Sequence, residues 1–356
     1  MQSPAGLLNT SEGDLAEESR SDVLPHIAVL VLNWNARDDT VECLRSLSEL
    51  DYPAWQAVVV DNGSTDGSFE AIRAAYPDAT VLQAGRNLGY AGGNNLGLRW
   101  IRRSDFDYVL VLNNDTVVPR ALLTDLVSAA RDCPQYTILS PRILYHSRPD
   151  TLWFSGSRWN ETTCDIEHVG DGSIDDGRLC TPGVEESPYA CGCALFFPVT
   201  CLDSVGYLEE RFFLVFEDTD WCFRAAERGL RCGIALNARV WHKVSSTIGN
   251  FSPLGAYFYT RNRLLWAERH LPWRTRFRML AAIWRELCPP FAVRGGPLPS
   301  FPERVLWSLT SYRNTLRRRT GDPVWLARVI GLRDYVLRRF GDCPPRIRAL
   351  RRIEQA

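Results

Sequence analysis

The sequence of 356 residues holds a single lysine, Lys243, against forty arginines. A Walker-type phosphate loop and a Schiff-base enzyme each need a lysine in a defined setting. Lys243 follows Trp241-His242 with no glycine-rich loop before it, so both classes fall away. No Cys-x-x-Cys occurs among the eleven cysteines, and Cys191-Gly-Cys193 is too tightly spaced for an ordinary zinc pair. Where a dinucleotide-binding turn would need Gly-x-Gly-x-x-Gly, the first strand runs instead into Asn33-Trp34-Asn35. The His-Glu-x-x-His and Gly-x-Ser-x-Gly signatures are absent, and the five histidines are scattered, which disfavours a metalloprotease and an α/β-hydrolase. No apolar run approaches the ~18–20 residues of a spanning helix.

Charge is balanced overall, at −1, which excludes a globally basic nucleic-acid binder. The balance conceals a split. Residues 261–356 carry 21 arginines and 7 acids, a net +14, while residues 1–260 carry −15. An acidic front and a basic rear suggest two jobs in one chain. Residues 1–25 are polar and acidic, so they read as a disordered leader with no secretory signal. Reduced cysteines in a cytoplasmic protein are the matching expectation.

Ordered structure is expected from Ile27. Ile27–Leu32, Ala57–Val60 and Tyr108–Leu112 are continuous apolar runs, as in strands buried on both faces. Thr80–Leu82 is a weaker strand, and Cys193–Phe197 a later one. Between them lie helical stripes. Val41, Leu44, Leu47 and Leu50 follow possible N-caps at 38–40; Phe69, Ile72 and Tyr76 form a short helix; residues 85–97 open another; Pro119 suits the first turn of a fourth. This alternation predicts a parallel α/β sheet with right-handed crossovers, whose ligands sit at the carboxyl ends of the strands. Residues 145–190 read as irregular or edge structure, and Glu217–Gly229 as a helix.

Carboxylates gather at those strand ends: Asp61, Asp115, and the group Glu217, Asp218 and Asp220 after Phe212–Phe216. One acid after an apolar strand is ordinarily a turn former or a cap. Several in one sheet, facing one crevice, point to chemistry.

In these segments the sequence resembles the family 2 glycosyltransferases of the GT-A nucleotide-diphospho-sugar fold, in particular the rhamnosyltransferase-like branch. The resemblance rests on Val31-Leu-Asn-Trp-Asn35, Val60-Asp-Asn-Gly-Ser-Thr-Asp66, Arg86-Asn-Leu-Gly89 with Gly92-Gly-Asn94, Leu112-Asn-Asn-Asp-Thr116, Phe216-Glu-Asp-Thr-Asp-Trp-Cys222 and Val240-Trp-His242. They recur in family order over residues 27–265. The resemblance implies an α/β GT-A domain over 26–255 and a basic helical region over 256–356. It also implies transfer of a sugar, with inversion, from a nucleotide-diphospho donor to a hydroxyl of a cell-surface glycan or lipid-linked saccharide, L-rhamnose from dTDP-L-rhamnose being favoured.

The same resemblance assigns roles. Asp61 binds the donor base, with Asn33, Asn35, Asn87, Gly89, Asn94, Asn113 and Asn114 around the donor. Asn113-Asn114-Asp115 replaces the family's Asp-x-Asp, leaving Asp115 as the residue expected to hold Mg²⁺ or Mn²⁺, completed by His242. Asp218 matches the catalytic base, beside Glu217. Asp220, Trp221, Tyr257, Arg261 and Asn262 fall on the acceptor side. A metal-dependent hydrolase of nucleotide sugars or phosphate esters, or a non-catalytic sugar-nucleotide-binding protein, is the alternative.

Two C-terminal stripes complete the reading. Trp273, Phe277, Leu280, Trp284 and Leu287 share one helical face beside Arg274, Arg278 and Arg285. Trp325, Val329, Leu332 and Val336 repeat it beside Arg328, Arg333, Arg338 and Arg339. Such faces suit either an anionic membrane surface, the inner face of the cell membrane, or packing on the catalytic domain. No aromatic-rich RNA-binding signature accompanies the arginines, so no nucleic-acid partner is expected. Oligomeric state stays open.

Overall fold

The computed structural model describes residues 23–175, 183–244, 252–287 and 321–350. The expected leader lies almost wholly outside them. In chain order the first half runs β1 (Ile27–Asn33), α1 (Arg37–Leu47), β2 (Trp55–Asp61), α2 (Ser68–Ala75), β3 (Thr80–Gln83), α3 (Gly89–Ile101), β4 (Tyr108–Asn113), β5 (Thr116–Val117) and α4 (Leu122–Asp132). Then follow β6 (Ile138–Tyr145), β7 (Arg148–Phe154), β8 (Ser157–Asn160), β9 (Asp165–His168), β10 (Val184–Ser187), β11 (Ala194–Pro198), α5 (Cys201–Ser204), α6 (Glu217–Ala226) and β12 (Cys232–His242). Helices α7 (Pro253–His270), α8 (Trp273–Leu287), α9 (Pro323–Val336) and α10 (Pro345–Ala349) close the described chain.

β1 is the centre of the parallel half because its side chains are apolar up to Asn33, so both faces can be covered. It pairs in parallel with β2 and β4, and β3 extends the sheet beyond β2. The direction then reverses: β11 runs antiparallel to β4, and β6, β12 and β10 follow. Ala28, Leu30, Val58 and Val60 face a core shared with Leu98 of α3 and Trp221 of α6. Val29, Val31 and Val59 face Leu44 of α1, Ile72 of α2 and Leu126 of α4. The result is a helix–sheet–helix sandwich in which each such fully buried side chain contributes roughly 1.5–3 kcal/mol.

Several expectations shift. Residues 145–190 are richer in strands than foreseen: β7 pairs with β6, β8 with β9, and β10 forms the sheet edge. α1 has no side-chain cap; Asp38 and Asp39 lie within its first turn, and the Thr40 hydroxyl bonds Asn33 instead. Pro119 precedes α4 by three residues, so it marks the approach to that helix. Nine cysteines among the described residues are free thiols, eight of them buried.

α7 is buried at 13 of its 18 positions, as only a helix surrounded by other elements can be. Ser252 caps it by accepting from the Gly255 N–H, with Pro253 in its first turn. Its residues Leu264–Ala267 share one core with Phe212 and Phe216, with Met279, Ile283 and Leu287 of α8, and with Trp325, Val329 and Leu332 of α9. The dividing point at 255/256 thus falls inside a helix whose core crosses it. The two C-terminal stripes part company here. The α9 stripe is packed except for Val336, whereas Trp273, Phe277, Leu280 and Trp284 of α8 are exposed and only Leu287 of that stripe is buried.

Candidate active site

Parallel pairing brings Asn33 level with Asp61, and Leu32 level with Asn113, at the carboxyl ends of β1, β2 and β4. The Asn33 amide donates to Asp61 Oδ1 at 3.1 Å and to Ser64 Oγ at 3.0 Å. Its carbonyl oxygen accepts from Thr40 Oγ1 at 2.7 Å, and Thr40 Oγ1 accepts in turn from Asn114 Nδ2 at 2.8 Å. One hydrogen-bonded line therefore joins Asp61, Asn33, Thr40 and Asn114 across three strand ends. Asn35 adopts the left-handed conformation (φ 49°), and its side-chain oxygen receives the Thr65 N–H at 2.8 Å.

The second loop is built on Asn62. Its amide donates to Asn87 Oδ1 and to the Gly89 carbonyl, and its oxygen accepts from the Leu88 N–H. Gly89 needs to be glycine: φ is +74°, and a Cβ would lie 2.5 Å from the Phe213 carbonyl oxygen. That carbonyl accepts the Tyr90 N–H at 2.6 Å, which ties the loop to residues 212–216. Asn94 is fully buried within α3; its amide bonds the Tyr90 carbonyl, and its side-chain oxygen has no partner.

β4 ends in the turn that presents Asp115, and β12 ends in His242. The pairing of β5 with β12 sets His242 opposite Thr116. His242 Nε2 lies 3.0 Å from Asp115 Oδ1 and 3.5 Å from Asn113 Nδ2. Trp153 packs edge-on against the imidazole, with ring centroids 4.9 Å apart. Two ligands at adjacent corners of an octahedron with ~2.1 Å bonds stand about 3 Å apart, so this pair fits one divalent cation. Among the described residues no cluster of three or more His, Cys, Asp or Glu side chains converges, and Asp115 and His242 stand together as a pair. The hard carboxylate oxygen suits Mg²⁺ or Mn²⁺.

Glu217 and Asp218 begin α6 in contrasting surroundings. Asp218 Oδ2 accepts the Gly192 N–H at 2.8 Å, and Oδ1 accepts its neighbour Thr219 N–H at 2.6 Å. A Cβ on residue 192 would lie 2.9 Å from that Oδ2, so only glycine admits the carboxylate so closely. Gly192 also receives the Tyr90 hydroxyl through its carbonyl at 2.6 Å, and the next residue, Cys193, accepts the Asn113 N–H at 2.9 Å. One short segment thereby holds both Asp218 and the start of the Asn113–Asp115 turn. Glu217 is buried, with Oε2 unpartnered; burial, and next the Asp218 charge, push its carboxyl well above the ordinary range.

The residues expected on the acceptor side are buried, and their partners are internal. Asp220 is enclosed by Arg224, Arg269 and His270. Trp221 donates to the Gly206 carbonyl and packs on Phe197. Tyr257 donates to Asp334 across to α9, and Arg261 reaches the carbonyls of Phe212 and Gly341. Asn262 Nδ2 lies 2.8, 2.7 and 2.8 Å from the carbonyls of Phe212, Leu214 and Val215. Arg261 and Asn262 thereby brace the segment leading into Glu217 and Asp218, because desolvated polar groups must find partners inside the protein. Asn62, Thr40, Tyr90 and Gly192 were not among the sequence candidates. Asn62 alone carried a signal, next to Asp61 in the same motif.

Comparison with known proteins agrees with this geometry. The glycosyl transferase family 2 model matches residues 28–179, and the glycosyl transferase family group 2 model matches 108–312, more than half of the chain. A low-salt glycan biosynthesis hexosyltransferase, Agl10, of Haloferax volcanii is 26% identical over 219 residues; the match covers 59% of this chain and 65% of that protein, just under two thirds of its length. An N-acetylglucosaminyl-diphospho-decaprenol L-rhamnosyltransferase of Mycobacterium tuberculosis is 26% identical over 277 residues, covering 71% and 87%. A dTDP-rhamnosyl transferase, RfbF, of Shigella flexneri is 22% identical over 256 residues, covering 69% and 82%. Among solved structures, a mannosyltransferase of Pyrobaculum calidifontis in complex with GDP-Man and Mn²⁺ superposes with a TM-score of 0.53 at 17% identity, covering 90% of this chain and 92% of that one, which shows a shared GT-A-like α/β fold. The chain belongs to the family 2 glycosyltransferases, on their rhamnosyltransferase-like side.

Proposed function

We propose that the protein is an inverting, metal-dependent transferase that moves L-rhamnose from dTDP-L-rhamnose to a hydroxyl of a cell-surface glycan or a lipid-linked saccharide. The observation that carries the reading is the Asp218 carboxylate, fixed by the Gly192 N–H on the same segment that holds the Asn113–Asp115 turn. Oδ1 of Asp218 accepts the Thr219 N–H and hydroxyl, whereas Oδ2 accepts the Gly192 N–H and keeps a lone pair for an acceptor hydroxyl. Asp218 stands in the first turn of α6, where the helix dipole favours negative charge. As the acceptor oxygen attacks the anomeric carbon, Asp218 takes its proton; one displacement inverts the centre, so one base suffices.

Asp115 and His242 would hold Mg²⁺ or Mn²⁺, which supplies positive charge for the departing diphosphate when bound. Asn33, Asn35 and Asp61 on one side, and Asn87, Gly89 and Asn94 on the other, form the two loops we assign to the nucleotide. Asn113 and Asn114 place Asp115 against them. The rhamnose donor is supported by two relatives named as rhamnosyltransferases, one of which acts on a decaprenol-linked saccharide. The test is a panel of dTDP-rhamnose, UDP-galactose, UDP-glucose and GDP-mannose with Mn²⁺ and a lipid-linked acceptor, read by mass spectrometry. A mass increment of one deoxyhexose on the acceptor, from dTDP-rhamnose alone, is expected. Turnover of UDP-glucose in place of dTDP-rhamnose overturns the donor, and donor cleavage that ignores the acceptor overturns transfer.

A further inference from the structure

Helix α8 has two apolar faces, and the protein core uses only one. Met279, Ile283 and Leu287 are buried against α7 and α9. Trp273, Phe277 and Trp284 are 71%, 68% and 62% exposed, and Leu280 is 38% exposed. At ~100° per residue these four fall within an arc of about 60°, on a ridge roughly 16 Å long. Three large aromatic rings aligned in water are costly and unusual; among the other described residues Trp34, at 42%, is the one large ring so exposed. Arg274, Arg278 and Arg285 are exposed along one edge of the ridge, with the Arg274 guanidinium 5.5 Å from the Trp273 ring centre. The single acid of α8, Glu286, lies on the far side and pairs with Arg328 of α9.

We propose that this ridge seats the protein on an anionic bilayer surface, with the rings of Trp273, Phe277 and Trp284 at the boundary of headgroups and acyl chains and the arginines among anionic headgroups. The inference goes beyond the transferase reading and depends on no donor or acceptor. Charge decides the occupant: a convex helical ridge edged by Arg274, Arg278 and Arg285, of which Arg278 pairs with Glu161 at 3.7 Å, complements an anionic plane. Among the described residues no helix is long and apolar enough to cross a membrane, so the contact lies in the interface. The stripe on α9, equally amphipathic in sequence, has no part in this, because Trp325, Val329 and Leu332 pack against the core and only Val336 is exposed. Seating also suits the fold, since Arg278 donates to the Glu161 carbonyl in the β8–β9 turn, and His168 of β9 meets Trp153, which packs on His242. One hairpin thus links the ridge to the Asp115–His242 pair.

The experiment is flotation of the full chain with vesicles of phosphatidylcholine alone or mixed with phosphatidylglycerol, at low and high salt. Two variants accompany it, Trp273→Ser/Phe277→Ser/Trp284→Ser and Arg274→Gln/Arg285→Gln, each checked by thermal melting. The intact protein is expected to float with anionic vesicles at low salt. The serine variant should lose at least ~10-fold in binding with an unchanged melting temperature, and the glutamine variant ~10-fold or more with a weaker salt response. Failure of the intact protein to float overturns the proposal, as does serine-variant flotation equal to wild type. A serine variant that melts earlier while neither protein floats assigns the ridge to a segment of this chain instead. Conversion of a dimer to a monomer by the same substitutions, without flotation, assigns it to a second copy.

Discussion

Asn262 Nδ2 stands 2.8 Å from the Val215 carbonyl oxygen, two residues before Glu217, although 47 positions separate the two in sequence. The segment it holds is strained: Phe213, Val215 and Phe216 have φ of 66°, 70° and 78°. Non-glycine residues in this region cost of order 1–3 kcal/mol each and persist only where the surroundings over-determine them. Asn262→Ala leaves buried carbonyls without a donor, at about 1–3 kcal/mol. We expect kcat to fall by ~10²-fold as Asp218 shifts, with donor KM little changed. Steady-state kinetics beside thermal melts check this; a loss confined to melting temperature means Asn262 supports the fold alone.

Glu217 gives a pH signature. Its folded carboxyl is held well above the ordinary value by burial and then by Asp218. Between the ordinary carboxylate range and that raised value, the folded chain keeps a proton that the unfolded chain has released. Stability therefore falls as pH rises through this window. Glu217→Gln preserves the neutral form and is expected to flatten the decline while transfer stays within an order of magnitude of wild type. Parallel pH–stability curves for the two proteins would show that Glu217 is ionised in the fold.

Cation dependence should be traceable to two side chains. Calorimetry of dTDP-rhamnose binding is expected to show weaker affinity in EDTA than in Mn²⁺ for the wild type, and no difference for Asp115→Ala or His242→Ala. Equal wild-type affinity in both buffers contradicts a shared cation at the 3.0 Å pair.

The α/β core was legible in the sequence because β1, β2 and β4 are apolar runs that end in Asn33, Asp61 and Asn113, and strand ends gather at one edge of a parallel sheet. Asp115, His242 and Asp218 were singled out by family motifs, not by periodicity, and the structure brings the first two within 3.0 Å. What stayed hidden depends on long-range contact. Amphipathic spacing states that a face is apolar but not what meets it, so α8 and α9 looked alike. Arg261 and Asn262 read as acceptor-side residues through the family resemblance, which carries no contacts; here they pair with backbone some 50 residues away. Gly192 carries no side-chain signal, yet its N–H fixes the carboxylate.

Asp218→Asn is the decisive substitution, measured as product formation from dTDP-rhamnose and acceptor beside donor affinity by calorimetry. Asparagine retains the size of the side chain and an oxygen for the Gly192 N–H while removing basicity. Transfer is expected to drop by ~10²–10⁴-fold with donor affinity and melting temperature unchanged. Transfer near the wild-type rate would contradict Asp218 as the base.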